Sequence, residues 1–283
     1  GFIEPIAQRI QSQILLVDSL VATVLAFVLY FYPHVAGDYA FQRKTDGVHW
    51  HLIRCVGAQI LSTAFVNMKL RQSSSAAKTV CFLIRIISSG ITLMLVCHCA
   101  SQTPNLVDPQ TLEYARVFSL WTVGIYAFNL IINAWPVGSS LIHENKIGNF
   151  LYQLDCLASM LIGLAWLTVP KWLLHRQVLV TLDESHELVA RLMGAFFVCT
   201  FCISQHALHW KSLEDRKVVV DSRVVCCIGI LGAQLWSQYA YHDDWSNNHW
   251  VGISLFSTWT GIAFIYRVVN TFFCQSAPKG KKA

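Results

Sequence analysis

Five residues recur in the same order at one fixed spacing. Asp46, His49, Arg54, Gly57 and Ala58 are followed 137 positions later by Asp183, His186, Arg191, Gly194 and Ala195. Asp18 and Asp155, Pro33 and Pro170, and Thr63 and Thr200 keep the same offset. Further along the offset becomes 138, so that Arg85 answers to Arg223, Phe118 to Phe256 and Trp121 to Trp259. One residue has been added in a charged loop, where insertion costs least. A unit written twice must supply the same buried faces twice, and that constrains the fold more than any single motif.

The chain is 54% hydrophobic and only 13% charged. A soluble domain carries about 25% charged residues. Several windows of 18 or more residues are almost free of charge, as membrane-spanning helices require. The expected fold is all-α and integral to a membrane: eight transmembrane helices as two tandem parallel four-helix repeats. The expected divisions are a cytosolic segment 1–12, a first repeat 13–136, a linker 137–148, a second repeat 149–274 and a basic tail 275–283. Four spans per unit bring both units into the membrane the same way up, which predicts parallel rather than inverted repeats.

Lys and Arg gather in the loops that share a side with the two ends. The positive-inside rule therefore places both termini in the cytosol. The tail reads K-G-K-K-A, with Lys279 and Lys281 in the K-x-K-x-x spacing of a dilysine retrieval signal. Coat-protein retrieval machinery is the partner this implies, and the endoplasmic reticulum membrane the compartment. No basic stripe or nucleic-acid motif is present, so no nucleic acid is expected as a partner.

Charges at membrane depth are costly and are paired or functional. Asp18 and Arg85 lie at similar depth from the cytosolic face, as do Asp155 and Arg223. Two intramembrane ion pairs, Asp18–Arg85 and Asp155–Arg223, are expected. They would act as register clamps or, alternatively, as a proton- or ligand-coupled switch. Asp46 and Asp183 read as helix N-caps, with His49 and His186 three residues on. Arg54 and Arg191 follow two turns later. They would snorkel, pair with an acid such as Glu113, or hold a lipid phosphate or other anionic ligand. These two arginines and two histidines are the lipid or ligand candidates.

No nucleophile–base pair, phosphate loop or metal-ligand set is legible, so no catalytic residue, cofactor or metal is expected. The leading expectation is a non-enzymatic endomembrane protein, an accessory or assembly subunit binding membrane lipids or other integral membrane proteins. The alternative is a transporter or lipid-handling protein whose anionic-ligand site lies near Arg54 and Arg191.

Overall fold

The structure is a computed structural model and describes residues 3–143 and 145–272. Lys279 and Lys281 lie outside the described residues. Ten α-helices follow in order: α1 (Ile3–Phe31), α2 (Pro33–Ala40), α3 (Gly47–Leu70), α4 (Ser75–Gln102), α5 (Pro109–Ile132), α6 (Lys146–Thr168), α7 (Pro170–His175), α8 (Glu184–Ala207), α9 (Leu213–Ala240) and α10 (His249–Phe272). A 3₁₀ turn, His242–Asp244, lies between α9 and α10. The described residues form no strand and make an all-helical fold.

Pro33 and Pro170 shape both halves alike. The long helices α1 and α6 stop just before them. Each stands at the first position of a short second helix, α2 or α7, where its missing N–H costs nothing. An isolated bridge then closes each half, Phe41 with Val107 and Val178 with Trp245. These pairs are again 137 and 138 positions apart.

Among the described residues seven helices are long and apolar enough to cross a membrane: α1, α4, α5, α6, α8, α9 and α10. They mark a multi-pass membrane protein. The eighth long helix, α3, falls short of that hydropathy because it carries His49, His51, Gln59, Ser62, Thr63 and Asn67. All six are buried within the protein. A helix shielded on every side by other helices need not be apolar, since its polar groups never meet lipid.

The helices form an inner and an outer set. The outer helices α1, α5, α6 and α10 expose large apolar residues such as Val24, Phe128, Leu161 and Ile265. The inner helices α3, α4, α8 and α9 bury more of their surface. The two halves are not separate bundles standing side by side. The third long helix of each half lies against the second of the other: α9 packs on α3 and α4 packs on α8. The 137–148 segment therefore divides the sequence but not the core.

Close helix contacts depend on missing side chains. A Cβ on Gly194 would stand 2.8 Å from the Gly163 carbonyl oxygen, where α8 crosses α6. A Cβ on Gly57 would stand 2.9 Å from the Ala26 carbonyl oxygen, where α3 crosses α1. Small residues let membrane helices approach closely enough for backbone-to-backbone packing.

Candidate functional site: a histidine–carboxylate clasp and a lateral groove

Helices α3 and α8 begin at the same end of the molecule, each with the same device. The Asp46 carboxylate accepts from the backbone N–H groups of Val48 and His49 at 3.0 and 3.2 Å. The Asp183 carboxylate accepts from those of Ser185 and His186 at 3.0 and 3.4 Å. An N-cap aspartate satisfies amides that the helix leaves without partners, and such caps contribute about 1 kcal/mol. Each histidine ring folds back on its own cap, with Nδ1 2.9 Å from the carboxylate in both halves.

The fold then joins the two caps. His186 Nε2 lies 3.0 Å from Asp46 Oδ2. His49 Nε2 lies 2.7 Å from Ser185 Oγ, and Ser185 Oγ lies 2.5 Å from Asp183 Oδ1. The two imidazoles stack with centroids 3.7 Å apart. Both are almost fully buried, while about a third of each aspartate side chain is exposed. Arg43 closes the outer side with contacts to Asp183 at 3.1 Å and Glu184 at 2.7 Å. Asp244 accepts from the Gly47 N–H at 3.1 Å.

These contacts set the charge state of the carboxyls. Burial alone would raise Asp46, but hydrogen bonds from His186 and His49 outweigh it and hold the group well below the usual carboxylate range. Burial also works against Asp183 ionisation, and hydrogen bonds from Ser185, Arg43 and His186 overcome it. Asp244 goes the other way, raised first by burial and then by the nearby charge of Asp46. Asp46 and Asp183 are thus ionised anchors, a state suited to binding cations.

Arg54 and Arg191 do not share a site. Arg54 Nε donates to the Tyr30 carbonyl at 3.1 Å and Nη1 to the Tyr241 hydroxyl at 3.1 Å. Arg191 Nη1 donates to the Leu167 carbonyl at 2.6 Å, with Glu187 at 3.5 Å. Tyr30 and Leu167 are the last-turn residues of α1 and α6, just ahead of Pro33 and Pro170. Each guanidinium caps the carbonyl end of the neighbouring outer helix. A cation there is worth ~0.3–1 kcal/mol against the helix dipole. Glu113 pairs with Arg116 instead, at 2.7 Å.

At membrane depth Arg85 lies 2.7 Å from Asp18, and Asn67 donates to the same carboxylate at 3.1 Å. Arg223 lies 2.7 Å from Asp155. Ser204 and the Trp259 indole N–H also donate to Asp155, at 2.5 and 3.1 Å. The halves differ here, because Trp259 reaches its aspartate while its counterpart Trp121 is exposed.

A cavity of about 240 Å³ opens beside Asp155 and Arg223, between α6 and α10. A second, of about 480 Å³, lies toward the clasp end. Ile162 and Leu255 line both cavities. The two adjoin there and follow one another along α9 between Val219 and Gln234, ~22 Å at 1.5 Å per residue, as a lateral groove in two parts. The sequence gives little sign of it, because its walls are separated in the chain by up to two hundred positions.

Cysteines contribute no cross-link among the described residues. Cys55, Cys81, Cys97, Cys99, Cys156, Cys199, Cys202, Cys226 and Cys227 are all free.

Comparison with known proteins yields no match among curated proteins and none among solved structures. A family model does match, and it runs from residue 16 in α1 to residue 268 in α10, across both halves. The chain belongs to the family described as the domain of unknown function DUF8292.

Proposed function

We propose that this chain is a non-enzymatic, multi-pass endomembrane protein that binds membrane lipid in the groove between α6 and α10. The groove is the observation that carries the reading. It opens sideways toward the bilayer, it is apolar along most of its length, and it extends about two-thirds of the ~30 Å hydrocarbon thickness. A lipid chain fits such a surface better than an aqueous solute does.

The clasp end of the groove is polar on one half only. A cavity of about 220 Å³ occupies the equivalent place on the other half. Where that cavity has Leu188, Ala40, Val96 and Val107, the larger one has His51, Gln177, Gln234 and Trp245. Each pair is 137 or 138 positions apart. Gln234 Oε1 and Trp245 Nε1 are buried without a hydrogen-bond partner in the protein. Such groups favour an occupant with a polar head at that end, because unpaired burial costs ~1–3 kcal/mol per group.

This places the ligand site away from Arg54 and Arg191, each of which donates to a helix-end carbonyl. The tandem arrangement, with eight spans in two parallel repeats and α3 as the innermost crossing, is part of the same proposal. The matching caps, arginine-capped helix ends and ion pairs support it. So does the charge bias of the loops, which favours cytosolic termini. Retrieval to the endoplasmic reticulum through Lys279 and Lys281 completes it. Replacing both lysines by serine is expected to shift the full-length protein from the endoplasmic reticulum to later membranes, and unchanged localisation would remove the compartment from the proposal.

Native mass spectrometry of the purified chain tests the groove. Wild type is expected to retain lipid that Ala158→Trp and Ile162→Phe displace at unchanged thermal midpoint. Equal retention by the filled variants would end the reading. A stoichiometric protein partner in place of lipid would favour the accessory- or assembly-subunit reading.

A further inference from the structure

The clasp holds more contacts than two neutral imidazoles and one hydroxyl can fill with hydrogens. Five short contacts link its five polar side chains: His49 Nδ1 to Asp46 Oδ1, His186 Nε2 to Asp46 Oδ2, His49 Nε2 to Ser185 Oγ, Ser185 Oγ to Asp183 Oδ1 and His186 Nδ1 to Asp183 Oδ1. With both imidazoles neutral and both carboxyls ionised, only three hydrogens are available: one on each ring and one on Ser185.

One arrangement of those three hydrogens satisfies the side-chain contacts to Asp183, although the Asp183 backbone N–H also points at His186 Nδ1, at 3.2 Å. His49 Nε2–H donates to Ser185 Oγ. Ser185 O–H donates to Asp183 Oδ1. His186 Nδ1–H donates to the same carboxylate. What remains is His49 Nδ1 and His186 Nε2, both carrying lone pairs, facing the two oxygens of Asp46 at 2.9 and 3.0 Å. The backbone N–H of Asp46 also points at His49 Nδ1, at 3.3 Å, but it cannot relieve the carboxylate contact. Four polar atoms of three residues gather there, and either a second proton on each ring or one divalent cation would satisfy them all.

We infer that Asp46, His49 and His186 bind one divalent first-row transition metal ion, with Zn²⁺ the best match to two imidazoles and a carboxylate. The donor atoms of the three residues all lie within 4.8 Å of one another. A cation bonded ~2.0–2.2 Å from nitrogen and oxygen ligands fits that spacing. The ring nitrogens turned away from the ion both lead to Asp183, directly or through Ser185. A carboxylate behind a ligating histidine fixes the ring and its tautomer, as metal sites commonly require. Asp46 is partly exposed, so a water molecule can complete the coordination. The ion takes one histidine from each half and so ties α3 to α8. This site is independent of the lipid groove.

The experiment uses the full-length chain purified in detergent, stripped with chelator and dialysed against Zn²⁺ or Co²⁺. One Zn²⁺ per chain is expected by elemental analysis. Co²⁺ is expected to give the absorption of a low-coordinate N/O site, with two imidazoles visible by X-ray absorption. His49→Ala with His186→Ala should abolish binding, while His242→Ala, on an exposed histidine, should leave it intact. Asp183→Asn should keep the stoichiometry and weaken affinity by ~10–100-fold. Substoichiometric metal on wild type, or binding that survives loss of both histidines, would overturn the inference and leave a second proton on each ring in its place. Should the double variant not fold, the wild-type Co²⁺ spectrum and ligand count still decide.

Discussion

His186 Nε2 stands 3.0 Å from Asp46 Oδ2, so the aspartate that caps one half's central helix is bonded by the imidazole from the other. The two residues are 140 positions apart in the chain. Local capping and long-range assembly are thus performed by the same carboxylate.

Loss of this carboxylate is expected to cost more than an ordinary cap. Asp46→Asn removes the charge from the helix start and from the cross-half bond. The two effects together amount to ~2–4 kcal/mol, combining a cap with a hydrogen bond to a charged group. A thermal-unfolding double-mutant cycle of Asp46→Asn with His186→Leu should show coupling well above 0.5 kcal/mol. Additivity would mean that the bond across the halves carries no stability.

Acidification in the presence of chelator should weaken the clasp only at low pH. Folding lowers the pKa of both Asp46 and Asp183. Their stabilisation is therefore present above the unfolded carboxyl value of ~4 and is lost as pH falls through the lower folded values. Asp244 is raised, so its smaller contribution is present below ~4 and disappears as pH rises. The acid limb of the thermal midpoint should lie below pH ~4 in wild type and flatten in a variant carrying both Asp46→Asn and Asp183→Asn. A wild-type limb near pH 5 would contradict the assignment.

Breaking an intramembrane ion pair should cost more than deleting it. Arg223→Met leaves Asp155 buried beside Ser204 and Trp259 with no counter-charge, a change of ~3–5 kcal/mol. Arg223→Met combined with Asp155→Leu should recover much of that loss. Equal midpoints for the single and double variants would show that Asp155 finds another partner or a proton.

Gly194→Ala should separate α8 from α6. The added methyl meets the Gly163 carbonyl and the Leu167 N–H, both at 2.8 Å, and neither is free to move far. Destabilisation of ~1–3 kcal/mol is expected from overpacking. The same change at Gly90, which faces open space, should be neutral or slightly stabilising. Similar midpoints for the two would mean that the crossing tolerates a wider approach.

The all-helical class is legible in the sequence because a membrane leaves few other choices, and charge-free windows make the helices plain. Asp46 and Asp183 are readable as caps because their signal is local. The meeting of those caps is not readable, since nothing in the spacing of Asp46 and His186 says that their helices start side by side. The polarity of α3 points away from a span until its neighbours are known. Arg54 and Arg191 attract attention as unpaired charges, yet the partners they share in kind, the Tyr30 and Leu167 carbonyls, are backbone atoms with no sequence signature. The groove is written only in the contrast between halves, as at Gln234 against Val96 and Trp245 against Val107.

The exchange of neighbours between halves bears on how the molecule is made. When α5 leaves the ribosome, α4 and α3 have been synthesised but the helices they lean on, α8 and α9, have not. A nascent first half must wait in the bilayer with polar side chains of α3 uncovered, sheltered by insertion machinery or by temporary contacts. The chain is therefore expected to mature late and all at once, and a ribosome that stops after the fourth long helix releases a product fit only for degradation.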